Sequence, residues 1–211
     1  MKIFKIIKLT GMLLVFGFIG YVLSTYLLNS YKDTSEKIEV KPQNTSIKRS
    51  KEDNKVKPKG TLIKIFKEER LLELYNDGEL IYKFNIGLGS APVGDKNKEG
   101  DRKTPVGKYY VCTRNDKSRF TLFLGISYPN IEDAKRGLES GLINQDTFEQ
   151  IKQANINQAL PPWKTPLGGE VGIHGGGSSS DWTWGCIALS DENIKILWKY
   201  TKLKTPVEIY E

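Results

Sequence analysis

The chain has 211 residues, a formal net charge of +7 and 38% hydrophobic residues, among them four Trp, ten Tyr and eight Phe. This apolar content is sufficient for a folded core, so an intrinsically disordered protein is excluded. The excess positive charge lies in residues 1–59, which contain 12 Lys/Arg and five Asp/Glu, whereas residues 60–211 contain 20 of each. Because the larger part is neutral, we expect no nucleic-acid partner.

Residues 9–28 are predicted to form a transmembrane helix. They are almost wholly apolar. Three lysines precede them within residues 1–8, and the next charged residue after Lys8 is Lys32. Twenty helical residues at about 1.5 Å each span roughly 30 Å, the thickness of the hydrocarbon core of a bilayer. The exit of this segment, STYLLNSY at residues 24–31, lacks the small-x-small cleavage site of a secretory signal peptide, which favours an uncleaved anchor. The N-terminal lysines predict a cytoplasmic N-terminus and an extracytoplasmic remainder.

Residues 29–59 are predicted to form a flexible, charged tether. The segment is rich in Lys, Asn, Ser and Glu and shows no apolar periodicity, so it cannot bury enough surface to offset the entropy lost on ordering. A linker whose length has no function is the alternative. We therefore expect a single-pass membrane protein whose folded domain comprises residues 60–211.

This domain begins with a pattern typical of β-strands. Strands are predicted at residues 61–67, 70–76, 79–89, 108–113, 120–128 and 205–210. Asp77-Gly78 is a hairpin signal between the second and third of them. The glycines of GLGSAPVG, residues 87–94, match neither a phosphate-binding nor a dinucleotide-binding loop, and they predict a turn.

The apolar spacing becomes helical in three places, at residues 131–141, 144–158 and 192–201. Gly137 and Gly141 are expected to break the first of these, and Asp146 to lie in the first turn of the second. Ser190 and Asp191 are expected to cap the third. A strand-dominated mixture of this kind predicts a β-sandwich or open barrel with a few helices.

The stretch GIHGGGSSSDWTWGCIAL, residues 172–189, contains His174, the only histidine, and Cys186, one of two cysteines. Two predicted strand ends joined by a glycine-rich loop can bring the imidazole and the thiol together. The imidazole would then take the thiol proton, and the thiolate is the nucleophile. Gly185 leaves room for substrate beside backbone N–H groups that can face a developing oxyanion. The residues alone leave open a purely structural role, with a strand cap and a buried cysteine.

Cys112 lies in the predicted strand GKYYVCT, where a small buried side chain is its expected role. Reversible pairing with Cys186 stays open at this point. One histidine and two cysteines without ligand spacing cannot complete a zinc site, so neither a metal nor another cofactor is expected.

HGG followed by TWGCIAL resembles the active-site signature of the L,D-transpeptidase (YkuD-type) catalytic domain. GDRKTPVGKYYV, which begins at Gly100, resembles a second segment of that family, and SRFTLFLGISYPN is most similar to its YafK-like branch. The resemblance covers residues 60–211. It implies that Cys186 is the nucleophile, that His174 is the general base, and that the carbonyl of Gly175 orients the imidazole. It also implies an oxyanion hole formed by the N–H groups of Trp184, Gly185 and Cys186.

The chain departs from the family pattern at three positions: Thr183 replaces the usual Ser, Trp184 a frequent His, and Ala188 a frequent Arg or Asn. Further candidates for substrate contacts are Thr183, Trp182, Tyr128 at the rim, Arg102, Lys103 and Arg119. Asp181 is a candidate partner of His174, although capping of the loop is the commoner use of such a residue.

The resemblance implies acyl transfer on peptidoglycan stem peptides, without a cofactor, by a domain that faces the cell wall. The Cys186 thiolate would attack the third residue of a tetrapeptide stem and expel D-alanine, and an amine of a neighbouring stem would then form a 3-3 cross-link. An L,D-carboxypeptidase, or an amidase that trims stems or releases wall-attached protein, is the alternative enzyme. A non-catalytic wall-binding module is the alternative outside enzymes. No oligomeric state is predicted.

Overall fold

The structure of the protein is a computed structural model that describes residues 36–37 and 59–211. The predicted transmembrane helix at residues 9–28 lies outside the described residues, as does most of the predicted tether. Within the ranges described, no helix combines the length and the apolar character needed to cross a membrane. Two tether residues, 36–37, form a short strand that pairs with residues 82–83.

The prediction of a mainly β domain with a few helices is confirmed. The described strands are β1 (Glu36–Lys37), β2 (Thr61–Phe66), β3 (Leu71–Asn76), β4 (Glu79–Asn85), β5 (Gly107–Ser118), β6 (Thr121–Ile126), β7 (Gly172–His174), β8 (Ile187–Ala188) and β9 (Pro206–Tyr210). The described helices are α1 (Ile131–Glu139), α2 (Gln145–Ile156) and α3 (Asp191–Tyr200).

The strands form one curled sheet in the order β1-β4-β3-β2-β9-β5-β6-β7-β8. The first residues of the long strand β5 pair with β9 and the later ones pair with β6, so β5 belongs to both halves of the sheet. After β4 the backbone runs to β8, the strand at the other end of the sheet. There Gly87 and Ala188 exchange hydrogen bonds of 2.9 and 2.8 Å. The sheet is therefore a half-barrel, which corresponds to the open-barrel alternative of the prediction.

The hairpin predicted at Asp77-Gly78 is confirmed. Asn76 ends β3 and Glu79 begins β4, and these two residues pair. Asp77 and Gly78 have φ values of 49° and 77°. A two-residue hairpin turn of type I′ needs positive φ at both central positions, and Asp-Gly supplies this at low cost. The turn fixes the register of β3 against β4.

The main core lies inside the curl of the sheet. Alternate residues of β2, Ile63 and Ile65, are fully buried, as are Ile194 and Leu197 on the inner face of α3. Each such side chain stabilises the fold by about 1.5–3 kcal/mol relative to exposure. A smaller cluster, formed by Ala134, Ile143, Ile151 and Leu167, holds α1 and α2 together beside the sheet.

The helices begin where the sequence predicts, but one interior expectation is wrong. Gly137 lies inside α1 and does not break it. A β-carbon on Gly137 would lie 2.8 Å from Cδ2 of Leu167, so the glycine allows close packing against this side chain. Asp146 lies in the first turn of α2, and Ser190 caps α3 by accepting a hydrogen bond from the amide of Asn193. The capping residues could therefore be predicted from their neighbours in the sequence. The effect of Gly137 on the helix could not, because it depends on contact with Leu167.

Candidate active site

A cleft of about 830 Å³ opens beside β7 and the turn that precedes β8. Its opposite wall is the hairpin formed by β5 and β6. The residues that line the cleft are Lys96, Glu99, Asn115, Lys117, Ser118, Arg119, Phe120, Phe123, Trp163, Gly169, Glu170, Val171, His174, Trp182, Thr183, Trp184 and Cys186. Both His174 and Cys186 are in this set.

The pairing of β7 with β8 brings these two residues together. The strands are parallel, with Ile173 opposite Ile187 and His174 opposite Ala188. Side chains alternate between the faces of a strand, so Ile173 points into the core while His174 points into the cleft. Cys186 lies two positions before Ala188, and its thiol donates a hydrogen bond to the carbonyl of Glu170, with Sγ 3.6 Å from the oxygen. The thiol therefore lies beside the start of β7 and the imidazole at its end.

The imidazole of His174 is held on several sides. Nδ1 lies 2.6 Å from the carbonyl oxygen of Gly175. A carbonyl only accepts hydrogen bonds, so Nδ1 carries the proton and Nε2 is left as a proton acceptor. The ring of Phe120 stacks on the imidazole at 4.5 Å, and the ring of Trp182 meets its edge at 5.6 Å. The side chain is 2% exposed, so the base is largely shielded from water.

The surroundings of His174 keep it neutral at pH 7. Burial lowers the pKa of the imidazole below its ordinary value of 6.5, since the charged form loses solvation. The hydrogen bond to the Gly175 carbonyl raises this pKa, and the positive charge of Arg119 lowers it further. A neutral imidazole with a free Nε2 is the form that can accept a proton.

The thiol of Cys186 is also neutral at rest. Burial raises its pKa to about 11, while the backbone amide of Gly172 and the positive charge of Lys96 lower it and the negative charge of Glu170 raises it. A thiol with this pKa is a poor nucleophile at neutral pH unless a base removes its proton. The arrangement therefore suits transfer of a proton from sulfur to Nε2.

The turn before β8 is closed by the side chain of Thr183. Its hydroxyl donates to the carbonyl of Cys186 at 2.7 Å and accepts from the amide of Gly185 at 3.1 Å. Gly185 has a φ of 133°, and a β-carbon there would lie 2.8 Å from the carbonyl oxygen of Lys103. Glycine is therefore required at this position.

The structure changes the predicted set of oxyanion donors. The amide of Gly185, predicted as one of three, is already hydrogen-bonded to Thr183. Within the part of the chain that the structure describes, the amides of Trp184 and Cys186 donate to no acceptor. The Gly185 amide is therefore the one of the three that already has an acceptor, the Thr183 hydroxyl.

The loop that carries these residues is held by the segment after β4. Leu88 accepts a hydrogen bond from the amide of Thr183 at 3.1 Å, and its own amide donates to the carboxylate of Asp181 at 2.9 Å. A β-carbon on Gly89 would lie 2.1 Å from the carbonyl oxygen of Arg102, so a larger residue would not fit. Within the turn predicted at residues 87–94, Gly87 and Gly89 form isolated bridges to Ala188 and Thr183, so this part, which is also the end of the strand predicted at 79–89, supports the loop.

Two predicted site residues lie elsewhere. Tyr128 is fully buried and its hydroxyl donates to the carbonyl of Leu167 at 2.9 Å, so the prediction that it marks the rim is wrong. The reason is its packing against the ring of Tyr109 beneath the cleft. Asp181 forms an ion pair of 2.8 Å with Arg70 and does not contact His174.

The other predicted substrate contacts lie in or beside the cleft. Arg119 lines it, and its guanidinium lies over the ring of Phe120 at 4.7 Å. Trp184 is 72% exposed at the cleft edge, and the guanidinium of Arg102 lies 5.3 Å from the centre of its ring. Lys103 does not line the cleft. Of the basic residues predicted to contact the substrate, Arg119 is the one that lines the cleft.

Sequence reasoning missed Lys96. It lies in the loop GDKNKEGD, whose charges are typical of a solvated surface, yet it is 2% exposed and lines the cleft. Its ammonium donates to the carboxylate of Asp101 at 2.8 Å. No local signal distinguishes it from Lys98, since its burial comes from chain segments that are distant in sequence.

The second cysteine stands apart from this site. Cys112 and Cys186 are both free thiols, so the disulfide left open by the sequence is not formed in this structure. Cys112 donates to the carbonyl of Gly125 at 3.4 Å, and burial raises its pKa to about 12. Within residues 36–37 and 59–211, no group of three or more His, Cys, Asp or Glu side chains is arranged to hold a metal ion.

Comparison with known proteins gives one family and a set of related folds. The family model described as L,D-transpeptidase catalytic domain (YkuD) matches residues 60–209. The solved structure of the helical cell shape determining protein Pgp2 from Campylobacter jejuni, in a mutant form, is 25% identical with a TM-score of 0.51. It aligns with 72% of this chain and 47% of its own.

An L,D-transpeptidase from Xylanimonas cellulosilytica is 16% identical with a TM-score of 0.43, over 72% of this chain and 61% of its own. This chain therefore spans about half to three-fifths of the length of these two solved chains. No curated protein matches the sequence. The matches do not single out the YafK-like branch.

Proposed function

The chain belongs to the family of L,D-transpeptidase (YkuD) catalytic domains, and from this premise we propose that it transfers acyl groups between peptidoglycan stem peptides through a thioester on Cys186. The observation that carries the proposal is the placement of His174 and Cys186 in one cleft, with Nδ1 of the imidazole committed to the Gly175 carbonyl. Nε2 is thereby left to act as the base.

In the first step, Nε2 of His174 takes the proton of the Cys186 thiol while sulfur attacks the carbonyl carbon of the third stem residue. Both groups are neutral beforehand, because burial lowers the pKa of the imidazole and raises that of the thiol. The carbonyl oxygen becomes negative, and the amides of Trp184 and Cys186 are the donors proposed to receive it. One such donor stabilises the transition state by about 2.7–4 kcal/mol.

The intermediate then collapses. The bond to the terminal D-alanine breaks, the departing amine takes the proton from the His174 imidazolium, and the acyl group remains on sulfur as a thioester. An amine of a neighbouring stem attacks this thioester and gives its proton to Nε2, which returns it to the Cys186 thiolate. The product is a 3-3 cross-link. If water attacks instead, the product is a tripeptide stem.

We assign the free carboxylate of the terminal D-alanine to Arg119. In the described residues, this guanidinium has no ion pair, and it lies over the Phe120 ring that stacks on the imidazole. A planar guanidinium can bind a carboxylate through two parallel hydrogen bonds. Trp182 and Trp184, the aromatic residues on the loop side, are proposed to contact the stem on either side of the thiol.

The location of the enzyme follows from its composition. We propose that residues 9–28 anchor the protein in the cell membrane and that residues 29–59 tether the domain on the outer side, facing the wall. The likeness to Pgp2, which is described as determining helical cell shape, supports a role in the cell wall. Protease treatment of intact spheroplasts should degrade residues 60–211 and spare the N-terminus. Full protection of the domain would contradict this placement.

The function is tested by incubating the full-length protein with purified disaccharide-tetrapeptide and analysing the products by mass spectrometry. Release of D-alanine together with a 3-3 linked dimer, lost in Cys186→Ala and retained in Cys112→Ala, is the expected result. Tripeptide without dimer would indicate the carboxypeptidase. No turnover by a folded protein would overturn the proposal.

A further inference from the structure

A buried lysine ammonium borders the cleft that contains Cys186. Lys96 is 2% exposed, although lysine is almost never fully buried unless it is paired. It lies in the loop between β4 and β5 and lines the cleft from there. Removing an ammonium from water costs several kcal/mol, so its position requires compensating contacts.

Those contacts fix the ammonium in place. Nζ donates to Oδ1 of Asp101 at 2.8 Å and to the carbonyl of Lys98 at 3.0 Å, and it lies 5.7 Å from the centre of the Tyr128 ring. Asp101 also accepts hydrogen bonds from the amides of Asn97, Lys98 and Lys103. The carboxylate of Asp101 thus has hydrogen-bond donors besides Lys96, and it holds the loop between β4 and β5 together.

A second buried lysine shows what a purely structural arrangement looks like. Lys67 is 1% exposed, donates to Glu211 at 2.8 Å and to the carbonyl of Gly94 at 2.7 Å, and does not line the cleft. Lys96 has the same kinds of partner, a carboxylate and a carbonyl. Of the two lysines, only Lys96 lines the cleft that contains Cys186.

The charged groups around the thiol oppose one another. Those that line the cleft are Lys96, Glu99, Lys117, Arg119 and Glu170, together with the titratable His174. The negative charge of Glu170 acts against ionisation of the thiol, and the positive charge of Lys96 favours it. Without Lys96, the cation that offsets both burial and Glu170 would be lost.

We propose that Lys96 is a positioning residue of the thiol site, whose fixed ammonium stabilises negative charge on the sulfur of Cys186. This inference rests on the proposed function, in which that sulfur becomes the nucleophile and later the leaving group. No bond to Lys96 forms or breaks. Its charge lowers the cost of moving the thiol proton to His174, and lowers it again when the thioester releases the thiolate.

The test is the rate of alkylation of Cys186 by iodoacetamide as a function of pH in the full-length protein, with peptide mapping by mass spectrometry to separate Cys186 from Cys112. Lys96→Met and Lys96→Gln should raise the apparent pKa of Cys186 by about one unit, within the range for loss of a nearby opposite charge. At pH 8 this corresponds to an alkylation rate about tenfold lower.

Three controls separate charge from structure. Lys96→Arg keeps the charge and should retain the wild-type profile. Lys67→Met removes a lysine of similar burial away from the cleft and should also leave the profile unchanged. Glu170→Gln should lower the apparent pKa of Cys186, which is the opposite sign. Circular dichroism shows which variants are folded, and Lys96→Gln, which keeps a hydrogen-bonding side chain, serves if Lys96→Met does not fold.

A folded Lys96→Gln or Lys96→Met protein with the wild-type profile would overturn the inference. An equal shift in Lys67→Met would also overturn it, because a general loss of stability would then be the cause. Alkylation requires no peptidoglycan. A shifted profile in a protein that turns over no stem peptide would therefore support the role of Lys96 while contradicting the proposed function.

Discussion

Both cysteines of this protein are partly buried, but the groups that surround the two thiols differ. Both thiols are free and half-buried, and burial raises the pKa of Cys112 to about 12 and that of Cys186 to about 11. Cys112 contacts the backbone of its neighbouring strand. Cys186 shares its cleft with an imidazole and a fixed ammonium. Burial alone makes a thiol inert, and in our proposal a base and a cation from other segments activate Cys186.

The largest expected effect comes from removing each thiol in turn. Cys186→Ala should lower turnover on tetrapeptide stems by a factor on the order of 10⁴ or more, because no nucleophile remains. Cys112→Ala should leave turnover unchanged and cost about 1 kcal/mol of stability or less. Product analysis and thermal unfolding measure the two. Comparable losses in both variants would remove the distinction between the regions.

Replacing the base should have the next largest effect. His174→Gln keeps a polar side chain of similar reach but cannot accept the thiol proton, so kcat/KM should fall by about 10²–10⁴. Alkylation of Cys186 at pH 8 should slow, while that of Cys112 should not change. Equal alkylation of Cys186 in this variant and in the wild type would show that the imidazole does not act on the thiol.

The turn that carries Cys186 can be altered without touching the reacting atoms. Thr183→Val removes both hydrogen bonds of the hydroxyl, to the Gly185 amide and to the Cys186 carbonyl. Loss of the fixed turn should lower kcat by about tenfold, as expected for a small displacement of catalytic groups. Thr183→Ser keeps the hydroxyl and should retain activity. Steady-state kinetics of the two variants distinguishes loss of the hydroxyl from a change in side-chain volume. An equal loss of kcat in both variants would contradict the role of the hydroxyl in fixing the turn.

The smallest effect concerns the pKa of His174. Because burial lowers this pKa below 6.5, the neutral base persists at slightly acidic pH, and activity should decline only as the pH falls through the lowered value. As the chain has one histidine, its imidazole gives a single NMR titration. Arg119→Gln should raise the pKa of His174, since a nearby positive charge is lost. It should also raise KM more than it lowers kcat. A pKa above 6.5 in the wild type would contradict the buried, neutral base.

Much of the fold could be predicted because its signals are local. The hairpin at Asp77-Gly78, the cap at Ser190 and the acidic first turn of α2 depend on residues within a few positions of each other. The approach of His174 to Cys186 was also predictable, since both lie at the ends of strands joined by one loop. The order of the strands was not, because β9 inserts between β2 and β5 through contacts distant in sequence.

The errors at the site have the same cause. Tyr128 precedes a proline and has a polar tip, which suggested a surface position, but the core covers it completely. Lys96 has a strongly charged local sequence and is nevertheless buried. In both cases the exposure of the side chain depends on other segments of the chain that pack against it. The residues adjacent in sequence do not reveal these contacts.

The most direct test of the account is to trap the acyl-enzyme. The full-length protein is mixed with disaccharide-tetrapeptide, quenched with acid within seconds, and mapped by mass spectrometry of proteolytic fragments. We expect the mass of the disaccharide-tripeptide acyl group, the donor without its terminal D-alanine, on the fragment that contains Cys186, and none on the fragment that contains Cys112. An adduct on Cys112, or product formation with Cys186 never acylated, would contradict the central claim.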